Sequence, residues 1–462
     1  MAIAQFSGVA SGIDSASLID AIIEAKESVN ILRRNEIDAL DAENSALEEL
    51  NTKLLALDEV IDKFRTINGG GVSKKASSSD STVATAVVGA SAVNASYSLT
   101  VTSVADTATG SFDHQYGAST DYVSASGSGD VTISVGSGAD QVDITVAVTA
   151  NSTTLDAFAA AVNSDEDNDG LVHASVVNIG TSSAPDYRLL FTTLHQGTAQ
   201  GQLALAADVA ITELAASSID LATNAVFSIQ GIGDAITRET NSVSDVISGV
   251  TFQLTKAGSA NISISTDPDG TADAFNEIVN AYNDIVSYIN ENDLIERVEE
   301  DEEATNVYGS LAKTRIDDDF LAAFKMALLE TDAENGTTVT SMAELGISTN
   351  RDGTISIDTD KFKEAVGNDP AGATEVLNGF ADAVSGTSGV IYQYTKFNGF
   401  IDLAQLGNEN EIKNISDTIK ALERRTDSLR STMEKSFARL ETIVGDLQSQ
   451  QQALSGILAG LS

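Results

Sequence analysis

The sequence predicts an α+β multidomain protein: a terminal α-helical coiled coil, a helical stalk domain, and β-rich head domains inserted between the N- and C-terminal helices. Three observations predict it. Both ends carry apolar residues at helical spacing, the middle alternates with period two, and prolines occur only at Pro185, Pro268 and Pro370, which leaves both ends free to be helical. At 462 residues the chain has room for several domains. Its hydrophobic content of 42% supports real cores, built on Ala, Val, Ile and Leu because aromatics are only 5%.

At the N-terminus, Ser15 or Ser17 is placed to cap a helix whose stripe is Leu18, Ile22, Ala25, Val29 and Leu32. The stripe resumes after a phase shift at Ile37, Leu40, Leu47, Leu50, Leu54, Leu57, Ile61 and Phe64, and Asn68-Gly69-Gly70-Gly71 stops it. From about Ser77 the texture becomes Ser, Thr, Val, Ala and Gly. Half-buried strands are predicted at Tyr97–Thr102, Val131–Val135, Val142–Val146, Arg188–Thr193, Val226–Gln230, Thr251–Thr255 and Asn261–Ser265. One helix is expected at Thr154–Val162, and a Gly- and Ser-rich tip around Ser124–Gly138.

After Asp267-Pro268-Asp269-Gly270 the helical period returns, with Phe275, Ile278, Val279, Tyr282, Ile285, Val286 and Ile289 on one face. A second helix is expected at Ile316–Leu329 and a hairpin at Ile347–Ile357, with Asp352-Gly353 between its strands. The longest pattern comes last. From Ile412, steps of three and four reach Ile415, Ile419, Leu422, Leu429, Met433, Leu440, Ile443, Leu447, Leu454, Ile457 and Leu461, broken only at Thr426, Ser436 and Gln450. A spacing of 3.5 residues keeps one stripe facing a partner helix, and the unbroken run would span about 75 Å. The two ends can pair with each other, with other subunits, or with both.

The net charge is −42, from 68 Asp and Glu against 26 Lys and Arg. Such a chain repels nucleic-acid backbones and anionic lipid. Cysteine is absent, which removes disulfides, thiolate metal sites and any Cys nucleophile. No apolar run approaches the roughly 20 residues of a membrane helix. The opening Met1–Gly8 lacks the basic and apolar regions of a cleaved secretory signal, so an extracellular location requires another export route.

No catalytic motif emerges, and the expectation is a protein that is not an enzyme and uses no cofactor or metal. His114, His173 and His195 are far apart, and neither H-E-x-x-H, G-x-S-x-G nor Gly-Lys occurs. Asp165-x-Asp167-x-Asp169-Gly170 copies the first half of a calcium loop, but its twelfth position is Val176 rather than Glu, so it reads as a solvated acidic turn. The run Glu299–Glu303 reads as a solvated face or loop. Asn241 and Asp245 are expected to shape a turn or cap a strand end by bonding their own backbone, and Gly249 to supply a permissive backbone position.

These residues resemble the flagellar filament cap family, flagellar hook-associated protein 2. Gly8-Val9-Ala10-Ser11-Gly12-Ile13-Asp14-Ser15 before an amphipathic helix is similar to its N-terminal signature. The stretch Thr237–Thr251, the pattern F-x-x-x-V-x-x-Y-N over Phe275–Asn283, Leu345-Gly346-Ile347 with Asp352-Gly353, and the ending with Phe437, Leu440 and Gln448–Gln452 are similar as well. Leu155–Gly180 looks like a repeat shared by flagellins and hook-associated proteins.

The resemblance implies an extracellular protein at the flagellum tip, exported by the flagellar type III apparatus without a cleaved signal. It implies a homo-oligomeric ring that promotes insertion and polymerisation of exported flagellin and prevents its leakage. The implied partners are other copies, flagellin, hook-associated proteins and an export chaperone. The implied domains are 1–40 with 425–462 as terminal coiled coil, 41–76 with 271–424 as helical stalk, 77–109 with 224–270 as β-rich head, and 110–223 as outer head. The expected oligomer or filament contact is the seam Leu18, Ile22, Val29, Leu429, Met433, Leu440, Ile443, Leu447, Leu454, Ile457 and Leu461. The alternatives are a hook–filament junction protein or other flagellar axial protein, and an extracellular adhesin acting through the outer head.

Overall fold

In a computed structural model, residue 12 and residues 14–300, 303–330 and 338–459 are described. The chain divides into two compact units, one of Met1–Asn68, Asp273–Phe362 and Glu375–Ser462, the other of Gly69–Ala272 and Lys363–Thr374. The first is mainly helical and the second mainly β, so the strands are inserted between the terminal helices as expected.

In the helical unit, α1 (Ser15–Asp62) is capped one residue earlier than the serines suggested. The Asp14 carboxylate accepts from the Ser17 amide at 3.1 Å and from the Ser17 hydroxyl at 2.8 Å, which holds its pKa below the usual range and satisfies an orphan N–H of the first turn. The helix runs unbroken for 48 residues, and Leu47, Leu50, Leu54, Leu57, Ile61 and Phe64 are all buried. It ends at Asp62, before the glycines; Gly69 then takes a φ of +69°.

In the β-rich unit, α2 (Leu155–Ser164) begins at a Thr154 cap, within a residue or two of its expected span. Returning to the helical unit, α3 (Pro268–Asn292) buries the whole predicted face from Phe275 to Ile289. Tyr282 stacks on Phe324 of α4 (Ile316–Leu329), ring centroids 4.2 Å apart. Ile347–Thr349 and Ile355–Ile357 form the expected hairpin, and the F-x-x-x-V-x-x-Y-N pattern explains how it is held. The Tyr282 hydroxyl donates to the Gly353 carbonyl at 3.2 Å. The Asn283 amide donates to the Ile355 carbonyl at 2.9 Å, and its carbonyl accepts from the Ile355 N–H at 2.8 Å.

The helices α5 (Thr359–Asn368), α6 (Pro370–Val384) and α7 (Val390–Thr395) were not anticipated. Neither was a hairpin of Ile295–Glu300 with Glu303–Tyr308, which takes the flanks of the acidic run read as a solvated face or loop; Asp301 and Glu302 lie outside the described residues. The final helix, α8 (Phe400–Ala459), spans 60 residues. Among the described residues no helix is long and apolar enough to cross a membrane.

The β-rich unit holds two cores. One lies between a five-stranded sheet, ordered Lys74–Ser78, Gly258–Thr266, Ala95–Ser103, Ala225–Ile229, Ile236–Arg238, and a three-stranded sheet of Ser242–Ile247, Val250–Leu254 and Ala84–Val88. Leu99, Phe227 and Ile262 from the first sheet meet Val243, Val250 and Phe252 from the second. The other core is contained within residues 108–222. It joins α2, a four-stranded sheet, and a three-stranded sheet whose central strand is Gly129–Val135. The Gly- and Ser-rich stretch expected as a tip therefore supplies Val131, Ile133 and Val135 to a core. Each predicted strand is present, with ends within three residues of the expected ones.

Candidate functional site

The α1–α8 pair is antiparallel. Arg430 bonds Asp20 at 2.7 Å, Arg34 bonds Glu423 at 2.9 Å, and Asn408 donates to the Asn44 side chain at 2.9 Å. The α8 side of this contact follows the predicted spacing, with Ile415, Ile419 and Thr426 buried and Ile412 and Leu422 half-buried.

The α1 side does not follow it. The residues that face inward are Ser15, Ile19, Ile23 and Asn30, with Asn30 only 1% exposed. The sequence stripe lies one position earlier, about 100° around the helix: Leu18, Val29 and Leu32 are exposed, Ala25 is exposed, and Ile22 is half-buried. No phase shift exists. From Leu47, steps of three and four lead back through Asn44, Leu40, Ile37, Arg33, Asn30, Lys26, Ile23 and Ile19. The signal was present but passed through polar residues, and the apolar residues beside it marked a second stripe instead.

Buried polar seam positions lower apolar burial and specify register. Asn30 accepts from the Arg33 guanidinium at 3.4 Å, and Thr426 is buried at the equivalent level of α8. The ion pairs around them are exposed and add little to stability individually.

The register carries a second consequence. With Asp20 beside Arg430, α1 starts near the level of residue 435, and α8 continues to Ala459. Along this extension Leu440 and Ile443 are exposed, Leu447 is 58% exposed and Leu454 62%. Leu429 is exposed and Met433 half-buried at its start. Ile457 lies on the helix, its side chain outside the described set, and Leu461 lies outside the described residues. Of the expected seam residues, Leu18 and Val29 on α1 and Leu429, Leu440, Ile443, Leu447 and Leu454 on α8 are exposed, while the intrachain contact uses other α1 residues.

The Thr237–Thr251 stretch forms a joint between the two β cores. The Asn241 side-chain carbonyl accepts from the Ala105 N–H at 2.7 Å and its amide donates to the Ala105 carbonyl at 2.8 Å. Its partner is a backbone 136 residues away, not its own as expected. Glu239 accepts from the Ala199 N–H at 3.0 Å. Asp245 pairs with Arg238 at 2.8 Å, which lowers its pKa. Gly249 takes φ +74°, and a Cβ there would lie 2.9 Å from the Ser91 hydroxyl, so the expected glycine requirement is met. Asn241→Ala would leave a half-buried N–H and C=O unpaired. It is expected to destabilise by about 1–3 kcal/mol, read as a lower urea midpoint.

In the Asp165–Gly170 turn, Asp165 accepts from the Asp167 N–H at 3.0 Å. Buried Asn168 bonds the Val162 and Val172 carbonyls at 2.9 and 3.0 Å. Among the described residues no group of three or more His, Cys, Asp and Glu is placed to hold a metal ion.

Sequence models of the flagellar hook-associated protein 2 N-terminus and C-terminus match residues 11–108 and 222–449. The A-type flagellar hook-associated protein 2 of Pseudomonas aeruginosa is 26% identical, over 98% of this chain and 97% of its own length. The flagellar hook-associated protein 2 of Salmonella typhimurium is 25% identical over 66% of this chain and 64% of its own. Among solved structures, the D1-D2-D3 domains of the flagellar cap protein FliD from Escherichia coli align with a TM-score of 0.56 at 20% identity. That alignment covers 80% of this chain and 99% of the other, so the fold is shared.

Proposed function

This chain belongs to the flagellar hook-associated protein 2 family, and from that premise we propose that it caps the flagellar filament. As a ring of identical subunits at the filament tip, it promotes insertion and polymerisation of arriving flagellin and prevents its loss. The observation that carries this reading is the α8 extension, which continues past its intrachain partner and presents Leu440, Ile443, Leu447 and Leu454 to solvent. A long single helix with one apolar stripe is a surface for packing against other helices. The second stripe, Leu18, Val29 and Leu32, adds a further surface on the same helix pair.

In this reading the terminal segments 1–40 and 425–462 grip the filament. Residues 41–76 with 271–424 act as stalk, 77–109 with 224–270 as inner head, and 110–223 as outer head. The chain travels through the flagellar export apparatus without a cleaved signal, accompanied by an export chaperone, and meets flagellin and the hook-associated proteins at the tip. The role is mechanical rather than catalytic.

The test is complementation of a strain whose own cap gene is deleted. The full chain is expected to restore filaments and to reduce flagellin released into the medium. Correct export without either effect would overturn the reading.

A further inference from the structure

We propose that the solvent face of α8 between Lys420 and Arg439 docks on an acidic helical face of a filament subunit, an inference that rests on the reading of α8 as the gripping helix. This segment holds six bases against three acids, within a chain of net charge −42. At about 100° per residue, Lys420, Arg424, Lys435 and Arg439 fall on one stripe. That stripe is opposite the face on which Ile415, Ile419 and Thr426 are buried. All four bases are exposed. The acids of the segment, Glu423, Asp427 and Glu434, centre about a quarter-turn away, and Glu423 already pairs with Arg34 at 2.9 Å. Between Arg424 and Lys435 the stripe carries only Ser428 and Ser431.

Two observations separate this stripe from an ordinary solvated helix face. Such faces gain from opposite charges four residues apart and lose from like ones. Earlier on the same helix, Glu409 with Lys413 and Lys413 with Asp417 follow that rule. Lys420 with Arg424 and Lys435 with Arg439 break it twice. The second observation is that the four side chains have no ion-pair or hydrogen-bond partner among the described residues, whereas Arg430 on another face reaches Asp20 at 2.7 Å. Residues 1–11 and 460–462 hold no Asp or Glu, so they supply no counter-charge. The local cost of like charges is offset only when another molecule brings carboxylates to them.

The partner's chemistry follows from the spacing. The two base pairs lie three turns apart and the stripe is about 28 Å long, which fits carboxylates repeated along one face of a second helix. Nucleic acid and anionic lipid carry negative charge as well, but the field of a chain at −42 repels such extended surfaces. The exposed stripe of Leu440, Ile443 and Leu447 lies about a third of a turn around the helix from the basic one. The apolar and charged contacts therefore engage different neighbours, and only the charged one is screened by salt.

The experiment measures pelleting of the full-length chain with short filaments repolymerised from purified flagellin, and urea midpoints establish that each variant is folded. Lys420→Glu with Arg424→Glu, and separately Lys435→Glu with Arg439→Glu, are each expected to weaken binding about tenfold at about 0.1 M salt. The difference from the unaltered chain is expected to shrink at about 0.5 M salt. Lys420→Arg with Arg424→Lys keeps both charges and is expected to bind like the unaltered chain. Normal binding by both Glu variants, or a loss equal at the two salt concentrations, overturns the inference. So does a loss seen in self-association by sedimentation velocity and not in filament binding, which would assign the stripe to other copies of this chain. Filament rescue separates the two readings. Undiminished rescue by both Glu variants overturns this inference with capping intact, whereas an unaltered chain that neither pellets nor rescues overturns capping and this inference with it.

Discussion

Replacing Leu440, Leu447 and Leu454 together with aspartate is expected to abolish filament rescue while leaving the unfolding midpoint unchanged. Stability is untouched because these side chains are exposed. They contribute only when another chain covers them. Burying a leucine stabilises a contact by roughly 1.5–3 kcal/mol, so three leucines per subunit represent several orders of magnitude in affinity before the cost of burying three carboxylates is added. The same substitutions at buried Leu47, Leu50 and Leu54 would unfold the helical unit, which is the contrast that separates assembly from folding. Export of the variant is checked by its presence in the culture medium. A variant that is exported and still restores filaments would remove the α8 extension as the gripping surface.

Asp317→Asn is expected to stabilise the protein at neutral pH. Asp317 opens α4, is 1% exposed, and neither carboxylate oxygen has a well-formed hydrogen bond among the described residues. Burial pushes its pKa up to about 6, and Asp293 and Asp318 push in the same direction, while the backbone amides of Asp318 and Asp317 partly offset them.

The folded state therefore holds this proton more tightly than the unfolded chain. Stability is greatest where the group is protonated in both states, declines as pH rises from about 4, and levels off above about 6. A shift of this size is worth on the order of 3 kcal/mol, reduced to about 1–3 kcal/mol by local solvent screening. Urea midpoints at about pH 5 and about pH 7.5 are expected to show the Asn variant gaining more at the higher pH. An equal gain at both would mean that charge burial is not the cause.

Legibility from sequence varied with the range of the interactions. The α8 spacing from Ile412 to Thr426, the face of α3 and the strands of the middle were readable because each depends on neighbours within a few residues. The hairpin at Ile295–Tyr308 was hidden by its acidic composition and by apolar residues too few and too irregularly spaced to mark a face, as in Ala304-Thr305-Asn306-Val307. The roles of Asn241 and Asn283 were not readable at all. Each hydrogen-bonds a backbone far away in sequence, and local propensity carries no record of such a partner.

By itself, the sequence determined that the ends are helical, that the middle is β, and that apolar stripes run along both terminal helices. Local periodicity is sufficient for that, since 3.6- and 2-residue repeats reflect which face is buried. Only the tertiary structure decided which stripe of α1 turns inward. Packing of Leu47 to Phe64 sets the rotation of a continuous helix, and the N-terminal turns must follow it. Asn30 is thereby buried, and Leu18, Val29 and Leu32 are left exposed.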